Sequence, residues 1–256
     1  MSDLDARCRT LRSLHVPGRP LLLPNAWDVA SARAVEAAGF PVVATTSAGV
    51  AAALGFEDHE GAPGDEMLAA AARIARGIAV PVTVDAEAGY GMDPQDLVAA
   101  LHEIGAAGCN LEDTDHRTGE LREPGVHAEW LAAVREAAAR REYELVINAR
   151  IDVFVRAASA GAEQSQSELV EEALRRAAAY SDAGVDCVYP ILLWEREALR
   201  SFISRHRGPI NAVRIPPGPS LAQLAELGVA RVSWGGQLAH RSLEWLGQTL
   251  GSLAES

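Results

Sequence analysis

Basic charge, cysteine and long apolar runs are all scarce in this chain, and each scarcity removes a class of function. Its 23 basic residues are scattered among 256 positions and face 35 acidic ones, for a net charge of -12. That leaves no electrostatic footprint for nucleic acid or an anionic membrane. No stretch approaches a membrane span, and residues 1–10, with Asp3, Asp5, Arg7 and Arg9, lack the apolar run of a secretory signal. A cytoplasmic protein is expected. Cys8, Cys109 and Cys187 cannot all pair internally and have no metal-ligand spacing. Reduced thiols are expected, with Cys109 and Cys187 serving as small buried hydrophobes rather than nucleophiles. The absence of a GxxxxGK phosphate loop, a dinucleotide fingerprint after the first strand and a zinc motif disfavours a nucleotide enzyme.

Against these absences stands a repeated punctuation in which a helix ends in small residues and Gly and a short apolar strand follows. It occurs at Ala37-Ala38-Gly39, Ala106-Ala107-Gly108, Asp182-Ala183-Gly184 and Glu226-Leu227-Gly228, where glycine can supply a left-handed helix cap. Strands are expected near 20–24, 41–46, 81–86, 109–112, 145–150, 186–190, 209–213 and 231–234. Three- and four-residue apolar spacing predicts helices over 28–38, 65–76, 94–106, 127–140, 165–181, 195–206, 220–226 and 237–253. The length fits one large α/β barrel or two small domains. Eight β/α units without a linker favour a single closed (βα)8 TIM barrel over 1–256, with a helix over about 4–14 on its floor. Residues 47–64 and 113–126 read as long loops leaving strand C-terminal ends, the second as a lid.

The chemistry concentrates where strands end. In Val84-Asp85-Ala86-Glu87-Ala88-Gly89-Tyr90-Gly91, strand alternation places Asp85 and Glu87 on one face. Glu112, in Asn110-Leu111-Glu112-Asp113, ends the next strand and can meet them. Three carboxylates in one mouth repel unless protonated or bridged, and Mg2+ or Mn2+ suits oxygen-only ligation better than zinc. Arg150 closes the apolar run of the fifth strand and needs an anion, which a substrate carboxylate, Glu112 or Asp152 can supply. Thr45-Thr46-Ser47-Ala48-Gly49 can present backbone N–H and hydroxyl donors to an oxyanion. Asp58 and His59 read as metal-water and proton-transfer groups or as solvated loop charges, and His116 as an acid or base or as a surface histidine. Asn25 and Trp27 can line the mouth while Asp28 is a good helix N-cap. Asn211 reads as a mouth residue or a buried amide, and Ser220 as a helix cap before a ligand contact.

Taken together, Asn25-Ala26-Trp27-Asp28, Thr45-Thr46-Ser47-Ala48-Gly49, Leu54-Gly55, the Asp85 and Glu112 segments and Asn148-Ala149-Arg150-Ile151-Asp152-Val153-Phe154 resemble the isocitrate lyase and phosphoenolpyruvate mutase superfamily, in order and spacing from about residue 20 to 240. The resemblance implies a (βα)8 barrel whose last helix is often exchanged between partners in dimers or tetramers, with Mg2+ at the mouth. It implies that Asp85 is the direct metal ligand, that Glu87 and Glu112 complete the metal set, and that Asp58 lies near the ion. It further implies that Arg150 holds the substrate and that Thr46, Ser47 and Ala48 receive a 2-oxo acid carboxylate. Two departures narrow the activity. Residues 114–126 hold no cysteine of the Lys-Lys-Cys-Gly-His type and neither the Lys nor the Asn of the P–C enzymes.

The expected activity is therefore Mg2+-dependent cleavage of a C–C bond in a small 2-oxo or 2-hydroxy dicarboxylate by a homodimer or homotetramer. Asp85, Glu87 and Glu112 are its metal residues, and Arg150, Asp58, Glu112 and His116 its catalytic ones. Thr46, Ser47, Ala48, Trp27, Arg150 and Asn211 are the expected substrate contacts. A P–C bond enzyme, phosphonopyruvate hydrolase or phosphoenolpyruvate mutase, and a 2-oxo acid binding barrel without turnover are the alternatives.

Overall fold

The structure, a computed structural model, describes residues 3–161 and 164–254. Its strands are β1 (Leu21–Leu23), β2 (Asn25–Ala26), β3 (Val43–Thr45), β4 (Val82–Asp85), β5 (Gly108–Glu112), β6 (Thr114–Asp115), β7 (Glu120–Leu121), β8 (Val146–Ile151), β9 (Cys187–Pro190), β10 (Asn211–Val213) and β11 (Arg231–Ser233). The helices are α1 (Asp3–Ser13), α2 (Val29–Ala37), α3 (Ser47–Leu54), α4 (Gly64–Gly77), α5 (Pro94–Ile104), α6 (Pro124–Arg140), α7 (Val153–Ser159), α8 (Gln166–Asp182), α9 (Arg196–Arg205), α10 (Leu221–Leu227) and α11 (Gln237–Ala254).

The strands close into the expected parallel barrel. One ladder runs β2-β3-β4-β5-β8-β9 and another β1-β11-β10, and a parallel bridge from Val188 to Ile210 joins them on one side. Pro24 joins them on the other. With no N–H to give, it interrupts the first stave, so β1 pairs with β11 while β2 pairs with β3. The barrel strands are buried almost throughout, as a sheet wrapped in helices requires, and they mix apolar residues with buried polar ones such as Asn110, Asn148 and Arg231. On the floor, α1 buries Cys8 and Leu11, and the Arg12 Nε donates to Asp186 Oδ1 at 2.7 Å. Cys8, Cys109 and Cys187 are free and buried, and burial pushes each thiol up to about 12. Among the described residues no helix is long and apolar enough to cross a membrane.

Local chemistry explains most element ends. Asp28 caps α2, its Oδ1 accepting from Ser31 N at 2.7 Å, and Ser220 caps α10 through Gln223 N at 3.3 Å. Of the four punctuating glycines, Gly39, Gly184 and Gly228 take the left-handed conformation, but Gly108 does not. Gly105 caps α5 instead, and Gly108 lies within β5, where a Cβ would stand 2.6 Å from Val146 O and 2.8 Å from Leu11. Glycine there lets the floor helix seat against the barrel.

The two expected loops are partly ordered elements. Residues 47–54, rich in alanine, form α3, since helix propensity outweighs the single Gly49. The excursion after β5 folds into the antiparallel β6/β7 ribbon, and α7 adds a turn after β8 that apolar spacing alone did not separate from the strand.

Candidate active site

β4 delivers Asp85 to the barrel mouth with its orientation fixed. Its N–H donates to Thr45 Oγ1 at 2.8 Å, and its Oδ2 accepts from the Ser47 N–H at 3.0 Å. Oδ1 is buried and has no partner. Glu87 does not share the strand face expected from alternation, because β4 ends at Asp85 and Glu87 sits in a turn at φ +48°. Its backbone carbonyl accepts from Glu112 N at 2.9 Å, which ties that turn to β5. The side chain is 3% exposed; Oε1 accepts from the Glu60 N–H at 2.6 Å and Oε2 has no partner. Asp58, on the loop before α4, leaves its buried Oδ1 unpartnered as well.

Burial raises the Glu87 carboxyl to about 7, with Asp85, Asp58 and Glu112 adding to the rise against the Glu60 hydrogen bond. Its unfolded value is near 4.5, so folding favours the protonated form. The stability this group contributes is complete below about pH 4.5 and is lost as pH rises through about 7. In chelator-treated protein, the stability difference between wild type and Glu87→Gln should therefore fall by on the order of 3 kcal/mol from pH 4 to 8, from about 1.4 kcal/mol per pKa unit. Chemical denaturation at a series of pH values measures it, and a pH-independent difference would contradict the assignment.

Glu112 and Arg150 stand side by side at the mouth, on the neighbouring strands β5 and β8. They are paired in register and are 1% and 8% exposed. Arg150 Nη1 pairs with Glu112 Oε2, while its Nε and Nη2 donate to Asp152 Oδ1 and Oδ2 at 2.6 and 3.2 Å. Of the three anions open to Arg150, the structure supplies two, Asp152 and Glu112. Burial alone would lower the Arg150 pKa, but Asp152, Glu112 and Asp85 outweigh it and keep the guanidinium charged. Burial raises Glu112, against the pull of Arg150. The other Glu112 oxygen, Oε1, lies 2.5 Å from His116 Nε2.

Support continues outward. Thr114 Oγ1 donates to Asp152 Oδ2 at 2.7 Å, and Asp152 N donates to Asp113 Oδ1 at 2.9 Å. Asp113, fully buried, also accepts from Tyr180 OH at 2.7 Å and Arg176 Nη1 at 3.0 Å. Sequence reading missed Arg176 and Tyr180, which sit at helical spacing on α8 like ordinary surface residues. Alternation held the signal for Asp113: if Glu112 faces inward, the next acid faces the helix layer and needs a cation there.

The other expected contacts divide. Thr46 donates its N–H to Ala26 O at 3.1 Å, and Ser47 spends its own on Asp85, so α3 offers only the first-turn amides of Ala48 and Gly49 to a ligand. Gly49 is packed where a Cβ would stand 2.8 Å from Trp27 Cβ, and Gly236 abuts Ala48. Asn25 braces the mouth instead of lining it, donating to Thr45 O and accepting from Trp234 N, both at 2.8 Å. Trp27 turns outward, where it packs near Val50 and Met67 and lines a cavity of about 150 Å³ with Leu54 and Ile74. Asn211 is the buried amide, its Oδ1 3.4 Å from Ser233 Oγ and its Nδ2 unpartnered. On the solvent side His59 and His116 lie with their rings tilted by 34° and their centroids 5.4 Å apart. A cavity of about 260 Å³ opens beside them, lined also by Thr114, Gly119, Asp152 and Arg156.

Asp85, Glu87 and Glu112 do not gather as tightly as the sequence suggested. Among the described residues, one group of three brings a ligand atom from each within 4.8 Å of the others, and it is His59, Glu112 and His116. Glu112 is drawn aside by His116 and Arg150, and Glu87 by the Glu60 amide. The free oxygens at the mouth are those of Asp58, Asp85 and Glu87.

The family model described as phosphoenolpyruvate phosphomutase matches residues 11–254. An uncharacterized protein of Mycobacterium tuberculosis is 34% identical over 226 residues, covering 88% of this chain and 81% of its own. A 2-methylisocitrate lyase of Salmonella typhimurium is 30% identical over 219 residues, covering 78% of this chain and 70% of its own. Among solved structures, a protein of Burkholderia cenocepacia J2315 with a provisional phosphonomutase label is 40% identical, with a TM-score of 0.90 over 97% of this chain and 99% of that one.

Proposed function

The chain belongs to the phosphoenolpyruvate phosphomutase family, and from that membership we propose a Mg2+-dependent lyase or hydrolase that cleaves a C–C bond in a small 2-oxo or 2-hydroxy dicarboxylate. The observation that supports it is the set of buried, unpartnered oxygens on Asp58, Asp85 and Glu87 near a buried, charged Arg150. Carboxyl oxygens left bare in a protein interior fit a hard cation, and an all-oxygen set fits Mg2+ or Mn2+. Asp85 would hold the ion with Asp58 and Glu87, and Glu112 stands beside them. When bound, the cation supplies charge stabilisation to the enolate-like oxyanion of bond cleavage. The competing way to stabilise such charge, a lysine Schiff base, is closed: all 23 basic residues are arginine.

The side chains divide the remaining work. The Ser47 N–H holds Asp85 so that Oδ1 stays free, and the Ala48 and Gly49 amides at the α3 N-terminus receive a substrate carboxylate. Arg150 sets the positive field of the mouth and fixes Glu112. His116, bonded to Glu112, is placed to carry a proton and ties the β6/β7 ribbon that bears it to the mouth. The test is a thermal-shift panel of oxaloacetate, 2-oxoglutarate, pyruvate and phosphonopyruvate with and without Mg2+, paired with product analysis. A dicarboxylate is expected to stabilise the protein and be cleaved only with Mg2+. Phosphate release from phosphonopyruvate, or stabilisation with no product from any compound, would overturn the reading.

The assembly follows from α11. Only Ala239 is buried along it, while Leu243, Trp245, Leu246, Leu250 and Leu253 are exposed. An apolar groove lined by Trp27, Ala30, Ala34, Val35 and Leu238 runs along α2 nearby. A second copy that lays its α11 against this barrel covers both, each leucine contributing about 1.5–3 kcal/mol when fully buried. Light scattering should show a dimer or tetramer for the wild type and a monomer for Leu246→Glu/Leu250→Glu; a monomeric wild type contradicts it.

A further inference from the structure

We propose that His59, Glu112 and His116 form a second metal site at the mouth, for a borderline transition ion of the Zn2+ or Co2+ class, separate from the oxygen-only site. Their ligand atoms lie within 4.8 Å of one another, a spread that small side-chain rotations close onto one ion. Two imidazoles and a carboxylate are a donor set that zinc prefers and Mg2+ does not. Each ligand comes from a different element: His59 from the loop before α4, Glu112 from the end of β5 and His116 from the turn of the β6/β7 ribbon.

The geometry is graded from rigid to adaptable. Glu112 is buried, held through its other oxygen by Arg150, and already aims Oε1 at His116 Nε2 from 2.5 Å. His59 is exposed and adds the third donor from the solvent side, facing the His116 ring. The cavity of about 260 Å³ that both histidines line leaves room for water or an anionic ligand in an open position. The ion takes the place of the proton in the His116–Glu112 hydrogen bond, and that proton leaves to solvent. Filling the site ties the Asp58 loop to the ribbon and withdraws His116 from proton transfer, so the ion would act as an inhibitory clasp across the mouth.

The site does not rest on the Mg2+ reading, since Asp58, Asp85 and Glu87 take no part in it. Chelator-treated protein, with saturating Mg2+ present throughout, is titrated with Co2+ and followed by visible absorption. One equivalent of Co2+ is expected to give a ligand-field band, and His59→Ala and His116→Ala should each weaken binding on the order of 100-fold or more, beyond what loss of an outer-shell partner costs. Because His59 is exposed, its alanine variant keeps the packing, and circular dichroism checks both folds. In Asp85→Asn the band should persist, which separates failure at the oxygen site from failure here. No band in the wild type, or one that survives both histidine substitutions, would overturn the proposal.

Discussion

Arg150→Ala is expected to cost about 3–5 kcal/mol of folding stability and to abolish turnover. The magnitude follows from what the substitution leaves behind. Glu112 and Asp152 are both buried, 1% exposed each, and Arg150 is the charge that offsets them. Without it, the two carboxylates must bind protons or admit water, and Asp113 behind them, already pushed up by burial and by Asp152, gains nothing to compensate. Arg150→Lys separates charge from shape. A single ammonium cannot reproduce a fork that reaches Asp152 with Nε and Nη2 and Glu112 with Nη1. It should recover part of the stability and little of the activity. Urea unfolding with kcat measurements checks both variants, and an alanine variant as stable as the wild type would contradict the arrangement.

Asp85→Asn is expected to leave the fold within about 1 kcal/mol of the wild type and to lower turnover by about 10²–10³-fold or more, the scale for losing one preorganised electrostatic group. The amide oxygen can still accept from Ser47 N–H, so the local geometry survives, while the charge on the free side of the group is gone. A second readout goes with the first. Asp85 is among the groups raising Glu87, so the upper end of the stability loss, near pH 7, should move to lower pH in the variant. A turnover loss without that movement would place Asp85 away from Glu87.

The barrel was readable because its evidence is repetitive. Eight apolar runs, each preceded by a helical period and half of them by a capping glycine, leave little choice of architecture, and even the ambiguous Asp28 and Ser220 resolved as the caps their side chains favour. The strand-end acids and Arg150 were readable for a related reason: ionised groups that end buried strands must face a mouth or a partner. Side-chain partnership was not readable, because alternation stops where the strand stops. Glu87 lies two residues past the end of β4, in a left-handed turn. Trp27 looked like a mouth residue from its neighbours in sequence, yet Gly49 and the Val50 cluster draw it outward. The pairing of His59 with His116 joins loops 57 residues apart, and only the folded chain brings them together.

The most direct measurement is a crystal structure of the protein soaked in Mn2+ at pH 8, with the ion located by anomalous scattering. A peak bonded to Asp85 Oδ1 and flanked by Asp58 and Glu87 is the predicted result. Density lacking any such ion, or placing it solely between His59 and His116, would contradict it.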